Sequence, residues 1–256
     1  MADIRLYHGD CLELMKQIPD NSVDMVLCDL PYGTTACKWD IIIPFEPLWE
    51  QYRRVCKENA AIVLFASQPF TSMLVMSNLK MFRHEWIWRK NRGSNFANTG
   101  REPFKEHEEV LVFSKGKWTY HKQMENRHGA GGNRAKYRYS NRTKSDNYNG
   151  FVGVNSKEFT RLRVPSSVQE FNTEVGLHPT QKPVALLSYL IKTYTNASET
   201  VLDNCMGSGS TGIACLGTDR SFIGIEKEDH YFQVAKSRIV QNQKQGIQGE
   251  LFETRR

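Results

Sequence analysis

Two apolar runs, Val23 to Cys28 and Ala60 to Ala66, constrain this chain most. Each is nearly continuous, without the polar alternation of a strand that has one wet face. Strands of that kind are buried on both sides, as in a parallel sheet covered by helices. Between them, Leu48, Trp49, Tyr52 and Val55 recur at helical spacing within Phe45 to Cys56. A short strand, Ile4 to Tyr7, comes first, and Asp10 after it can cap a helix through Leu12, Leu14 and Met15. A helix from Thr71 to Leu79 and strands from Phe82 to Trp88 and Val110 to Phe113 follow. The order β-α-β-α-β-α-β-β predicts an α/β protein with a doubly wound, mostly parallel sheet.

The first run ends in Cys28-Asp29-Leu30-Pro31-Tyr32-Gly33. An acid, a rigid proline and an aromatic ring thus stand where a buried strand enters a loop. Open α/β sheets keep their reactive groups there, outside the carboxyl ends of the strands. By itself the segment reads equally well as a strand followed by a turn.

At 256 residues the chain can form one large domain, or one domain with an insertion. No apolar run approaches the roughly 20 residues of a membrane span, and the first ten residues show no leader pattern. The six cysteines never form C-x-x-C, so they read as reduced thiols of a cytoplasmic protein, with no metal site expected.

Charge is unevenly spread. Residues 114–163 hold six Lys and six Arg against Glu125, Asp146 and Glu158, a net +9, while the whole chain is +6. Across 114–174 periodicity is weak, yet Trp118, Tyr120, Tyr137, Tyr139, Tyr148, Phe151 and Phe159 are interleaved with the basic residues. Disordered segments are poor in aromatics, whereas phosphate contacts plus base stacking need this mixture. The segment is therefore expected to be a nucleic-acid-reading insertion.

Regular structure resumes after His178-Pro179-Thr180-Gln181-Lys182-Pro183 with a helix through Leu186, Leu187, Leu190 and Ile191. The strand Thr200 to Leu202 leads into Asp203 and a literal G-x-G-x-x-G, Gly207 to Gly212. A helix to Leu216, a strand Ser221 to Ile225 ended by Glu226, and a last helix to about Val240 complete the pattern. Beyond Gln241 a frayed polar tail is expected. A glycine loop between strand and helix lets the backbone approach a ligand, and an acid at the next strand end can hold ribose hydroxyls. That arrangement serves a nicotinamide dinucleotide or S-adenosylmethionine alike.

Taken together, the segments resemble the amino (N6-adenine/N4-cytosine) DNA methyltransferases, in particular the permuted beta-class group whose catalytic motif precedes its cofactor loop. Asp29-Leu30-Pro31-Tyr32 is similar to the family's D-P-P-Y. Val201 to Thr211 resembles its cofactor loop, and His178 to Pro183 a third segment. The likeness spans Ile4 to Val240 and implies a Rossmann-like sheet of the seven-stranded methyltransferase type. It divides the chain into a catalytic half (1–113), a target-recognition insertion (114–174), a cofactor half (175–240) and a tail (241–256).

The resemblance implies that the Asp29 carboxylate and Leu30 carbonyl accept the two N–H groups of a flipped base, with Tyr32 stacking on its ring and Pro31 keeping Leu30 extended. For S-adenosylmethionine it implies Asp10 and Cys11 near the adenine and Glu226 on the ribose. Gly207, Ser208 and Gly209 would lie along the methionine, beside Cys205, with Thr180 and Lys182 near its carboxylate and Asp203 orienting the loop or the ammonium. Leu30 departs from the usual proline, Asn204-Cys205 from Pro-Phe, and Ser210 from threonine. An Asp-led motif favours adenine N6 over cytosine N4 as target. DNA, double-stranded and bound through 114–174, is the expected partner, with the protein a monomer or homodimer. The competing readings are a cytosine-N4 methyltransferase, a nicotinamide-dependent oxidoreductase and a non-catalytic DNA-binding protein.

Overall fold

The computed structural model describes residues 2–35, 37, 40–126, 162–174, 176 and 181–253, with side chains as far as residue 244. It divides into a main body, residues 1–121 and 167–256, and a smaller unit, residues 122–166.

The body is built on an eight-stranded sheet in the order β1-β10-β9-β2-β3-β5-β4-β8. In chain order the strands are β1 (Ile4–His8), β2 (Val23–Asp29), β3 (Cys56–Ala66), β4 (Phe82–Arg89), β5 (His107–Phe113), β8 (Val168–Glu170), β9 (Thr200–Asp203) and β10 (Ser221–Glu226). Among the described residues only β5 runs against the others. The helices are α1 (Cys11–Met15), α2 (Phe45–Val55), α3 (Phe70–Ser77), α4 (Val184–Tyr194), α5 (Ser210–Leu216) and α6 (Asp229–Glu253).

Successive residues of β2 point to opposite faces, and both faces are dry. Val26 and Cys28 pack with Leu48, Trp49 and Tyr52 of α2 and with Phe70 of α3. Met25 and Leu27 pack with Leu186, Leu190 and Ile191 of α4 and with Ala235 and Ile239 of α6. The continuous apolar runs follow directly from this sandwich.

Three features differ from the sequence expectation. β3 begins at Cys56 rather than Ala60, because Cys56 already pairs with Val23. β8 adds an eighth strand beside β4, and it comes from the segment assigned to the insertion. The body thus takes back residues 114–121 and 167–174. The last helix continues through the Gln-rich stretch to Glu253.

In the smaller unit, β6 (Glu125–Asn126) pairs antiparallel with β7 (Leu162–Arg163), and Arg163 meets the Glu125 carboxylate at 3.0 Å. The other insertion aromatics, Tyr137 to Phe159, lie outside the described residues.

Candidate active site

Strand order reverses beside β2: β9 and β10 lie on one side and β3 on the other. At the carboxyl ends of these strands is a cavity of about 420 Å³. Such a reversal is where an open α/β sheet leaves a crevice. Asp29 ends β2, Asp203 ends β9, Glu226 ends β10, and Asp10 follows β1. Four strands thereby deliver four acids to one cleft.

The Asp29 carboxylate has both oxygens engaged. The Tyr32 hydroxyl donates to Oδ1 at 2.7 Å and the Lys182 ammonium to Oδ2 at 2.5 Å. Lys182 is 7% exposed and has a second carboxylate, Glu108 of β5, at 3.3 Å. Glu108 in turn accepts from Lys90. Two ammonium groups and two carboxylates therefore form a buried chain of zero net charge. Burial raises Asp29 above the usual carboxylate range by more than Lys182 lowers it. Burial would lower Lys182, but Asp29 and Glu108 together raise it. Burial would raise Glu108, yet Lys182 and Lys90 hold it down.

The Tyr32 ring stacks on Phe70, with centroids 5.1 Å apart and planes at 25°, and the Lys182 ammonium lies 6.0 Å from its centroid. Leu30 is buried and lines the same cavity, as does Pro31. Beyond Tyr32 the loop is tied by Asp40, whose carboxylate accepts from the backbone N–H groups of Gly33, Thr34 and Thr35 at 2.7–2.9 Å. Burial would raise Asp40, but those N–H donors hold it below the usual range. They also fix the path by which the chain leaves Asp29-Leu30-Pro31-Tyr32.

On the other side of the cleft, Glu226 accepts from Gly207 N and Glu228 N, both at 2.8 Å. Each carboxylate oxygen takes one N–H and keeps a further acceptor site for a ligand hydroxyl. Burial raises Glu226 against those two bonds. Asp203 accepts from Cys205 N at 3.1 Å and the Thr211 hydroxyl at 2.6 Å. Burial pushes it up to about 7. Through these two bonds Asp203 ties the start of the loop to α5. Asp10 caps α1 through Leu12 N at 3.0 Å, and Cys11, Cys205, Gly207 and Ser208 line the cavity with it.

Lys182 lines the cavity and is held by Asp29 and Glu108, because a buried ammonium must find counter-ions. Gly209 is not among the cavity-lining residues. At φ 79 it forms the turn into α5, and a Cβ there would sit 3.0 Å from that of Ala235. The neighbouring Gly212 is likewise a packing glycine, since its Cβ would come within 2.6 Å of Ile239. Thr180 lies outside the described residues.

Sequence reasoning missed Glu108, Lys90, Asp40, Tyr52 and Arg238. Tyr52 of α2 donates to Asn204 Oδ1 at 2.6 Å, which gives the Asn204 that replaces a proline a structural purpose. Arg238 of α6 donates to Ser208 O at 3.2 Å and Ser210 Oγ at 2.9 Å. In sequence, Tyr52 looks like a core position of α2, and Arg238 like the polar face of α6.

The sheet order and the cleft beside β2 place the chain among Rossmann-like α/β proteins. Comparison with known proteins narrows the class. A family model for N6/N4 methyltransferases, described as DNA methylase, matches residues 23–237. The chain belongs to this DNA methylase family. It is 28% identical to the type II methyltransferase M.HpaI of Haemophilus parainfluenzae over 93% of this chain and 74% of that protein. It is also 28% identical to the DNA adenine methyltransferase YhdJ of Escherichia coli K12, over 91% of this chain and 82% of that one. Among solved structures, a complex of M1.HpyAVI with SAM aligns at a TM-score of 0.63 and 27% identity, covering 92% of this chain and 98% of that one. The cytosine-N4-specific PvuII methyltransferase aligns at a TM-score of 0.65 and 14% identity, a likeness of fold.

Proposed function

We propose that this protein transfers a methyl group from S-adenosylmethionine to the N6 amine of adenine in double-stranded DNA, and does so in the cytoplasm. The observation that carries this reading is the single cleft in which Asp29 and Leu30 face Glu226 and the glycine loop. Its residues fit the cofactor. The Glu226 carboxylate retains acceptor sites for two ribose hydroxyls, and Asp10, Cys11 and Ser208 line the adjoining wall. Seven acids, Asp10, Asp29, Asp40, Glu108, Asp203, Glu226 and Glu228, stand there against Lys182 and Lys227. Such a lining favours a cationic ligand and repels a pyrophosphate, which argues against a nicotinamide dinucleotide. When bound, S-adenosylmethionine supplies an electrophilic methyl group on a sulfonium.

The chain's own part is to make a poor nucleophile reactive. An exocyclic amine delocalises its lone pair into the ring. Two acceptors at the β2 end, the Asp29 carboxylate and the Leu30 carbonyl, take its two N–H bonds and draw the nitrogen towards tetrahedral geometry. Positioning of this kind supplies much of the acceleration, and fixed acceptors in a dry site add electrostatic stabilisation. Asp29 must first release Lys182, which keeps Glu108 as a counter-ion 3.3 Å away. Tyr32, which stacks on Phe70 and lines the cavity, is the stacking partner of an extruded base in this reading, and this offsets part of the flipping cost of a few kcal/mol. The Asp-led motif and YhdJ, named as an adenine methyltransferase, both favour adenine. The basic and aromatic residues of the 114–174 segment are the proposed reader of the DNA sequence.

The test is transfer from labelled S-adenosylmethionine to unmethylated duplex DNA, followed by nucleoside mass spectrometry. N6-methyladenine is expected from wild type and not from Asp29→Ala. N4-methylcytosine would move the target to cytosine, and no methylated base in any DNA would sink the reading.

A further inference from the structure

We propose that the loop joining β4 to β5 is a second DNA-contacting element, in which Phe96 is a wedge that enters the base stack and holds open the space left by the flipped nucleotide. This rests on the methyltransferase reading above.

The loop runs from Lys90 to Glu106 and leaves the same end of the sheet as Asp29, since β4 is parallel to β2. Its root is wired to the site, since Lys90 meets Glu108, which shares Lys182 with Asp29. Lys105 also donates to Ser67, just past the end of β3. The two strands of the loop are joined by Lys90 N to Glu106 O at 2.7 Å and Ser94 N to Lys105 O at 3.1 Å.

The tip is stiff. The Asn95 side chain donates to Pro103 O at 2.9 Å and Glu102 Oε1 at 3.2 Å, and accepts from Lys105 N at 2.6 Å. Phe96 to Asn98 then form a 3-10 turn, continued by Arg101 N to Asn98 O at 2.9 Å. Of the two loop phenylalanines, Phe104 closes the loop, since a Cβ on Gly93 would fall 2.5 Å from its ring. Phe96 is the more exposed of the two, 78% against 48% for Phe104.

A large apolar ring held in water by a braced turn is positioned to contact a partner. With Lys90 neutralised by Glu108, Arg92, Arg101 and Lys105 still outnumber Glu102 and Glu106 in the same loop, which suits a phosphate-lined partner. An apolar side chain projecting from such a basic frame is the form in which proteins enter a base step and unstack it. With Tyr32 receiving the base and Phe96 filling its place, both ends of the flip gain stacking contacts.

The wedge should matter only where a paired base has to leave the stack. The experiment compares wild type, Phe96→Ser and Phe96→Trp on duplexes carrying the site found by modified-base sequencing of DNA from expressing cells. A matched set has an abasic position opposite the target. On the fully paired duplex, Phe96→Ser should lower kcat/KM roughly 5- to 100-fold, the worth of one base–aromatic stack. On the abasic set the loss should shrink to less than about threefold, because the pairing cost is already gone. Phe96→Trp should stay near wild type on both, and cofactor affinity by thermal shift should not change. A 2-aminopurine at the target should brighten on binding wild type and fail to do so with Phe96→Ser. Equal losses on both sets, or no loss on the paired duplex, would overturn the wedge while leaving the methyltransferase reading intact. Wild type inactive on every DNA would instead overturn the reading itself.

Discussion

Removing the Lys182 ammonium should convert a balanced buried chain of charges into an unbalanced one, with a pH signature. In the protein as it stands, Lys90 and Lys182 offset Asp29 and Glu108. Lys182→Met keeps an apolar stem of similar length and leaves two carboxylates to one ammonium. Breaking a buried ion pair from one side costs about 3–5 kcal/mol. At roughly 2–4 °C per kcal/mol for a domain near this size, the midpoint should fall by about 6–20 °C when Asp29 stays ionised.

Asp29 need not stay ionised. Without Lys182, burial and Glu108 both raise its pKa, and no ammonium remains beside it to lower it. A carboxyl whose folded pKa exceeds its unfolded value contributes stability that is full below the unfolded value and is lost as pH rises through the folded one. The deficit of Lys182→Met relative to wild type should therefore be small at about pH 5 and reach full size by about pH 8. Thermal unfolding followed by circular dichroism at both pH values measures it. The rising limb of the methyl-transfer pH profile should move upward as well, because the ionised Asp29 carboxylate is a stronger acceptor than the neutral acid. A midpoint deficit equal at both pH values would refute the assignment of Lys182 as the counter-ion of Asp29.

Three further outcomes follow from the same geometry. Glu226→Gln should weaken S-adenosylmethionine binding about 10- to 100-fold by calorimetry, the worth of a hydrogen bond to a charged group, with little change in DNA binding. Tyr52→Phe leaves Asn204 Oδ1 buried without its donor, costing about 1–3 kcal/mol and hence roughly 2–12 °C in the unfolding midpoint. Asp203, pushed up to about 7 from an ordinary 3.8, withdraws stability as pH rises through that range. Asp203→Asn should therefore flatten the stability profile between about pH 4 and pH 8 in a denaturant series.

The sheet was legible because β2 and β3 are buried on both faces, and that leaves a local trace in apolar runs. Asp29 and Tyr32 were legible for the same reason: a strand, its terminal acid and its turn are adjacent in sequence. Glu108 was not. It reaches Lys182 only because β5 pairs antiparallel with β3 in the register Ala66 to Glu109. Read in sequence, His107-Glu108-Glu109 is the polar start of a strand. Lys182 stands 153 residues from Asp29, and no periodicity signals that distance. The eighth strand escaped because Val168–Glu170 is three residues long and lies in a stretch whose composition suggested an insertion.

The glycine pattern shows how a motif can match for a reason other than its usual one. Gly207 to Gly212 fits the dinucleotide fingerprint letter by letter, yet its second and last glycines are required by Ala235 and Ile239 of α6. Only the first donates towards the ligand's acid, through its N–H to Glu226. Helix packing would demand the same spacing in any protein that folds a strand–loop–helix under a long terminal helix. The spacing therefore carries fold information and little about the ligand. What separates a sulfonium from a pyrophosphate is the charge of the cleft, set by where β1, β2, β9 and β10 end. A single acid-to-lysine exchange there, such as Glu228→Lys, should alter cofactor preference more than any change in the glycines that leaves the chain folded.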